Sequence, residues 1–569
     1  MVEKLMTKTI FTRRIRTSLL LGAAWLVTSG AALAVCPPTT TAGDDTCLIE
    51  SGTGPLDAQA GNDTFALGGP GSFTFNTARL GTDFLNFELF RKVGPSIVTL
   101  TGVTGQAVDW TVEQGTLIVS QQQAINAARS AVVQAGAFFE VTAPTLVMNT
   151  LNNAGSTVLA AATNLQIAQW VKSGNGALTL GVGLDTASQP EHGQLRSLLD
   201  IAGNAVGDTL VTINTALQSA NPSATSGQGI RLITVAGTST ADSFRLANRV
   251  VEGGFEYILE RSANLGGPGA TFFLRSVPRE ELVANTVALA VNRATLQALS
   301  FFDQGADAAE GLGTRLRAWI TAHGQTTRAA GDAGARFNDD MIGVTAGVDT
   351  GFTSNIRVGI KGGWGENSVD LKMPQGNGKL DGTTYVAQLY AQFISGPLML
   401  DASAGYASTD WDFRTVAGVR ISESIDGIIA AIGAAYRFEF PEPVSLTVAA
   451  NLLYDGTSCG DGCFLGGIQE KTSDWFGRLS AKLESKAFGD EFRPYLSVSL
   501  TDDFGGGQKA LFGQGAAKVN AQGAVFGLNA GLNVAVAPNA AFFAEAGLTR
   551  SLEADVDGYR AQAGFRVTW

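Results

Sequence analysis

Tyr559-Arg560-Ala561-Gln562-Ala563-Gly564-Phe565-Arg566-Val567-Thr568-Trp569 is the stretch on which the reading of the fold turns. Successive side chains of a β-strand point to opposite faces. Tyr559, Ala561, Ala563, Phe565, Val567 and Trp569 therefore share one face, and Arg560, Gln562, Gly564, Arg566 and Thr568 share the other. A half-buried strand of a soluble sheet alternates in the same way, so repetition has to decide. Ile356, Val358 and Ile360 oppose Arg357, Gly359 and Lys361. Tyr385, Ala387, Leu389, Ala391 and Phe393 oppose Val386, Gln388, Tyr390 and Gln392. Trp475, Gly477, Leu479, Ala481 and Leu483 oppose Phe476, Arg478, Ser480, Lys482 and Glu484. Such segments are predicted near 315–323, 340–349, 355–364, 383–393, 397–407, 428–438, 444–454, 473–484, 492–502, 523–536, 541–549 and 559–569. That makes about twelve, an even number, as in single-chain antiparallel barrels of bacterial outer membranes.

The connections alternate in length. Gly351–Ser354, Ser395–Gly396, Glu439–Pro443, Ala487–Glu491 and Ala537–Ala540 read as short turns. The stretches 324–339, 365–382, 408–427, 455–472, 503–522 and 550–558 read as long loops. Barrels of this class keep short turns in the periplasm and long loops outside. Both ends of the barrel then lie in the periplasm, and Cys459 and Cys463 lie on an external loop. Tyr385, Phe393, Tyr406, Tyr436, Phe438, Tyr559 and Trp569 fall at strand ends, where aromatic girdles form.

Upstream of the barrel, Val283, Val287, Ala290, Val291, Ala294, Leu296 and Leu299 recur at helical spacing, with no Pro or Gly between Arg279 and Phe302. At ~1.5 Å per residue such a helix reaches about 36 Å, enough to thread a barrel; an ordinary linker helix is the alternative. Residues 35–278 carry short β-rich runs, among them Ile97–Leu100, Leu117–Val119, Ala177–Leu180, Leu210–Ile213, Ile230–Val235, Phe255–Leu259 and Thr271–Leu274. Many short strands predict a parallel β-helix or related solenoid, with an irregular sandwich as the alternative. Gln121–Gln134 and Ala160–Val171 read as helix-like interruptions.

The N-terminus reads as a signal peptide. Arg13, Arg14 and Arg16 precede a short apolar run, Leu19 to Val27, and Ala32-Leu33-Ala34 is a small-x-small cleavage signal, with the cut expected between Ala34 and Val35. The run is too short for a stable membrane span. A twin-arginine signal fits poorly after Arg13-Arg14, and the bulky Val35 argues against a lipoprotein at Cys36. Four cysteines in two close pairs, Cys36 with Cys47 and Cys459 with Cys463, read as disulfides in an exported chain. Metal would need more ligands, and the two histidines, His192 and His323, lie near neither pair.

Composition narrows function. A net charge of −12 argues against nucleic acid, which needs a basic face. Catalytic motifs are absent or incomplete. Gly207-Asp208-Thr209-Leu210 resembles an esterase Gly-Asp-Ser-Leu motif without its serine, and a serine triad upstream of the barrel would have to use His192, which reads as a loop residue. Gly61-Asn62-Asp63-Thr64-Phe65 resembles one calcium-binding nonapeptide, but a single copy reads as a turn. No catalytic residue, cofactor or metal is predicted.

Phe90 to Gly102, followed by Gly115-Thr116-Leu117, resembles the repeat of autotransporter passengers. Leu199-Asp200-Ile201-Ala202-Gly203, Gly229-Ile230-Arg231-Leu232 and Phe255-Glu256-Tyr257 are similar to the pertactin-like passenger end, although Phe272-Phe273-Leu274 stands where a Trp-x-Leu element is expected. Asp381-Gly382, Arg493-Pro494-Tyr495-Leu496 and Tyr559 to Trp569 resemble the autotransporter β-domain. The resemblance implies an all-β chain: a signal peptide (1–34), a solenoid-like passenger (35–278, with its pertactin-like part at 193–278), a linker helix in the pore (279–304) and a 12-stranded transmembrane barrel (305–569). It implies export by the general secretory route, assembly by the outer-membrane barrel machinery, and a passenger carried to the cell surface without a cofactor. Tyr559, Phe565, Val567 and Trp569 would form the assembly signal. Asn285 and Asn292 are candidates for self-cleavage, as in some relatives, without a matching motif. The passenger is expected to bind a host or cell-surface ligand in the manner of an adhesin. An unrecognised hydrolase, or a stand-alone pore with a periplasmic accessory domain, is the alternative.

Overall fold

In the computed structural model, alternation of apolar and polar residues produces two different β-structures joined by one helix. The structure describes residues 40–184, 196–215, 225, 227–252, 254–263, 268–300, 315–330, 336–441, 443–459, 474–489, 491–504, 508–512, 515–519, 524–552 and 555–569. The signal segment, Ala34, Val35, Cys36, His192 and Cys463 lie outside them.

The N-terminal part is a parallel solenoid. One sheet stacks Thr46–Ile49, Thr64–Leu67, Leu89–Lys92, Trp110–Val112, Ala131–Val133, Thr145–Asn153, Asn164–Lys172, Leu198–Ile201 and Ile230–Val235. A second stacks Phe73–Asn76, Ile97–Thr101, Thr116–Val119, Phe138–Val141, Ser156–Leu159, Ala177–Gly181, Thr209–Asn214 and Phe244–Leu246. Each strand points alternate residues inward. Val98, Leu117, Phe139, Thr157, Leu178 and Val211 form one fully buried row down the second sheet. Phe65 anchors the first rungs, with the rings of Phe75, Phe84, Phe87 and Phe90 at 5.1–5.4 Å. The solenoid ends in antiparallel strands, Ala270–Pro278 pairing with Ile230–Val235 and with Phe255–Ala263, which in turn pairs with Val250–Glu252. Phe272, where a tryptophan was expected, is buried against Phe244 at 5.2 Å.

The two helix-like interruptions are corrected. Gln121–Gln134 is turn followed by the strand Ala131–Val133, and most of Ala160–Val171 lies in the strand Asn164–Lys172. Stacking between rungs overrides the local periodicity, because each strand gains a ladder of hydrogen bonds on both sides and a row of core neighbours.

The barrel closes with twelve antiparallel strands. These are Leu316–Ala330, Arg336–Gly351, Ile356–Met373, Gly376–Ser395, Leu398–Arg414, Arg420–Glu439, Val444–Cys459, Asp474–Ser485, Phe492–Asp503, Val525–Ala537, Ala540–Ser551 and Asp555–Thr568. Leu316 and Trp569 exchange both backbone hydrogen bonds, at 2.9 and 3.0 Å, where the first strand meets the last. Polarity is inside out across the membrane band. Leu389 is 68% exposed and Ile360 62%, whereas the lumen-facing Gln388, Gln392, Arg357 and Lys361 are buried.

Most strands run longer than the alternation predicts. A membrane crossing needs about 9–11 residues, whereas Ile356–Met373 has 18 and Gly376–Ser395 has 20. The predicted loop 365–382 is therefore largely a hairpin of paired strands. Its polarity is reversed: Glu366, Ser368, Asp370 and Lys372 point out, while Val369, Leu371 and Met373 point in. The same reversal puts Trp411, Phe413 and Ile425 inside and Asp410, Asp412 and Ser424 outside. Above the bilayer the outer face meets water, so the apolar residues turn inward. The exposed rings of Tyr385, Tyr406, Trp475 and Tyr559 lie near this boundary, where an aromatic girdle belongs.

Candidate functional site, the helix-filled pore

The one α-helix among the described residues, Glu280–Ser300, starts just after Pro278. It has no internal Gly or Pro and is rich in Ala, Leu and Val, so propensity and packing agree. Glu280 and Glu281 lie in its first turn, where carboxylates favour the positive end of the helix dipole. The helix is buried on nearly every side, because it lies in the barrel lumen.

Two layers hold it there. Around its first half the part of the barrel above the bilayer, the collar, closes an apolar cluster, in which Val283, Val287 and Val291 meet Phe337, Leu371, Leu380, Trp411 and Phe413. Below, Leu296 and Leu299 pack against Met341, Val386 and Ile429, and polar contacts join them. Thr409 donates to Asn292 Oδ1, and Thr295 donates to Asn367 Oδ1 at 2.9 Å, while Asn367 Nδ2 reaches Asp339 at 3.1 Å. Arg293 lies over the Phe476 ring at 5.3 Å. Lys361 Nζ donates to the Ser300 carbonyl, which places a cation at the negative end of the helix. Gly365 permits the close approach, since a Cβ there would sit 3.3 Å from Thr295 Cγ2.

The rest of the lumen is cross-linked by charge. Asp349 receives Arg317 at 2.8 Å and also pairs with Arg357, and Glu484 receives Arg437 at 3.3 Å and Asn533 at 2.9 Å. These groups are buried, so unpaired they would cost several kcal/mol each, by about 3–5 in similar cases.

At the mouth, the solenoid, helix and barrel meet. Arg249 Nε and Nη2 both donate to Glu256 at 2.9 Å, and Nη1 reaches Glu280 at 3.1 Å and Glu281 at 3.0 Å. Glu280 Oε2 accepts from the Val416 amide at 2.7 Å, and Gln375 donates to the Pro278 carbonyl. Burial pushes the Glu280 carboxyl up, and the hydrogen bonds with Glu256 raise the Arg249 guanidinium further. Sequence periodicity did not reveal this junction; the acidic first turn of the helix was its one available signal.

The remaining sequence candidates fall elsewhere. Tyr559, Phe565 and Trp569 are 54%, 40% and 58% exposed on the outer face of the last strand, with Val567 half-buried beside them. Cys47 is buried and disulfide-bonded, and Cys459 ends a barrel strand. Thr209, in the place of an esterase serine, is buried and accepts the Trp170 indole N–H at 2.9 Å, while Asp208 pairs with Lys172 at 2.8 Å. Asp63 opens the strand Thr64–Leu67 and accepts from the Asp45 amide at 2.6 Å. Among the described residues no three His, Cys, Asp or Glu side chains gather as metal ligands. His323 meets Thr345 at 2.9 Å within the barrel. Asn292 is engaged by Thr409, and Asn285 is buried in the helix.

Two family models agree with this architecture. Residues 318–547 match the autotransporter beta-domain, and residues 145–259 match the autochaperone domain type 1. No curated protein matches the chain. Among solved structures, the transport unit of the autotransporter AIDA-I from Escherichia coli is 11% identical, with 50% of this chain and 99% of that chain covered and a TM-score of 0.42. The translocator domain of autotransporter NalP from Neisseria meningitidis is 15% identical, with 50% and 98% covered and a TM-score of 0.38. The beta domain of the Bordetella autotransporter Brka is 18% identical, with 45% and 100% covered and a TM-score of 0.35. With both family matches lying on a twelve-stranded barrel and a parallel solenoid, the chain belongs to the autotransporters, outer-membrane proteins of type V secretion that carry a surface-exposed passenger.

Proposed function

We propose that the exported solenoid is a non-catalytic surface-binding module, held on the cell by the helix that remains in the pore. The observation that carries this reading is the outer face of the second solenoid sheet. Ile97, Thr116, Phe138, Ser156, Ala177 and Leu210 form one row along the rungs, and Thr74, Thr99, Ile118, Glu140, Val158, Thr179 and Thr212 form the next. Ile97 is 43% exposed, Phe138 46% and Leu210 45%. The first row runs on from Leu210 to Arg245, so the two rows carry two charges, Glu140 and Arg245. Exposed apolar side chains set among hydroxyl-bearing ones on one sheet face support a contact role. Thr209 and Asp208 are already engaged in structural contacts, which supports the non-catalytic reading.

In this reading the general secretory route delivers the chain to the periplasm, the barrel-assembly machinery inserts it, and lipid covers the apolar band. The test is adherence of whole cells to a panel of host-cell, matrix and glycan surfaces. Cells displaying the chain should adhere to at least one surface, and Ile97→Asp with Phe138→Asp should abolish adherence at unchanged surface abundance. Adherence equal to that of cells lacking the chain, or unaltered in the variant, contradicts the reading.

A further inference from the structure

The passenger meets the barrel through a compact cluster of charges rather than through the backbone alone. Glu256 belongs to the solenoid's penultimate strand, Phe255–Ala263, and Glu280 and Glu281 to the first turn of the helix. All three carboxylates are buried, with relative exposures of 6%, 1% and 7%. Like charges so close and so dry repel one another, and burial itself opposes their ionised forms. Arg249 faces all three, two-pronged on Glu256 and bridging to Glu280 and Glu281. A planar guanidinium suits this geometry, and a lysine ammonium does not. Arg279 adds a second cation on Glu281 at 3.5 Å. On the barrel side, Glu280 holds the Val416 amide in the hairpin between Leu398–Arg414 and Arg420–Glu439. The Arg279 amide also donates to the Gly254 carbonyl at 3.1 Å, next to the start of that penultimate strand.

We infer that Arg249 is a positioning residue that ends export in one register, by tying the last solenoid hairpin to the first turn of the pore helix and, through Glu280, to the outer rim of the barrel. Arg249 and Glu280 are 31 residues apart in the chain. They meet only once the strands Val250–Glu252, Phe255–Ala263 and Ala270–Pro278 have paired. While the chain is still passing through the pore those strands are unpaired, so the clamp is open. Completing the solenoid brings Arg249 onto the helix start and fixes the helix axially, with Lys361 holding the opposite end at Ser300. Folding of the antiparallel solenoid end and seating of the pore helix are then one cooperative step. The inference rests on the reading of the barrel as the exporter of the solenoid.

The test uses the full-length chain purified from outer membranes and reconstituted in planar bilayers, with trypsin added to the solenoid side. The wild type should stay mostly closed and resist cleavage after Arg279. Arg249→Met should open at least tenfold more often and be cut after Arg279, and Arg249→Lys should fall between. Glu280→Ala, which keeps Arg249 on Glu256 and Glu281, should also raise opening. The double variant should be no more open than Arg249→Met, because both act through one contact. A general packing role would instead lower the melting temperature of the solenoid without changing conductance, and the two effects would add. Wild-type conductance and protection in both single variants overturns the clamp. If an impermeant label fails to reach the wild-type solenoid on intact cells, the export reading fails as well, which is a separate result.

Discussion

The solenoid and the barrel are both written in two-residue alternation, and they use it in opposite senses. In the solenoid, Val98 and Leu100 are fully buried while Ile97 is 43% exposed and Thr99 is half-buried. In the barrel, Gln388 and Gln392 are buried while Leu389 is 68% exposed. Strand formation needs only the period, and the medium on each side decides which set faces it. The collar shows the switch inside single strands. Along Ile356–Met373 the inward side chains change from Arg357 and Lys361 to Val369 and Leu371 as the strand leaves the bilayer. The backbone phase never changes; only the chemistry does.

The largest effect should come from the buried charges of the lumen, which are paired with one another, whereas the buried Lys92 of the solenoid is met only by carbonyls. Asp349→Ala leaves Arg317 and Arg357 facing each other without their carboxylate, and should cost the barrel about 3–5 kcal/mol. Urea unfolding in lipid vesicles measures it, and a loss under 1 kcal/mol would show that water or other side chains already satisfy the pair.

A matched pair of substitutions comes next. Leu389→Arg on the barrel should cost about 2–4 kcal/mol in a bilayer, whereas Leu210→Arg on the solenoid should stay within about 0.5 kcal/mol, although both leucines are exposed. Equal costs would place Leu389 outside the membrane band.

Trp569→Ala should remove about 1–3 kcal/mol of interfacial anchoring from the refolded barrel. If the last strand is also read during assembly, the same variant should nearly vanish from outer membranes of growing cells. Normal abundance there would restrict Trp569 to anchoring.

The smallest effect is a pH dependence confined to the solenoid. Lys92 is fully buried, its ammonium donating to the carbonyls of Val93, Gly94 and Gln114, and burial pushes it down to about 8. Between about 8 and the unfolded value of 10.5 the unfolded chain binds more protons than the folded one, so stability should rise with pH across that window. Denaturant unfolding of the solenoid from pH 7 to 9 samples its lower edge. Lys92→Met should flatten the slope, and a slope of opposite sign would mean that the three carbonyls hold the charged form.

The twelve strands, the five short turns and the helix were legible because each is driven by its own residues. The helix was predicted over 279–302 and spans Glu280–Ser300. Strand ends were not legible. Apolar residues facing lipid mark a strand only within the bilayer, and above it that signal changes sides, as at Glu366–Lys372. The solenoid was legible as short strands but not in its stacking, since rung lengths vary and Ala160–Val171 imitates a helix. The mouth cluster was hidden because Arg249, Glu256 and Glu280 become neighbours only through tertiary pairing.

Sidedness tests the whole account most directly. Phe138 lies on the exposed solenoid face, and Ser395 ends the strand Gly376–Ser395 beside a short barrel turn. Each is replaced by cysteine in the full chain, and intact cells are treated with a membrane-impermeant maleimide, the parent chain giving the background. The account predicts labelling of Phe138→Cys on intact cells, and of Ser395→Cys only after the outer membrane is permeabilised. Labelling of Ser395→Cys with protection of Phe138→Cys would put the solenoid in the periplasm and contradict it.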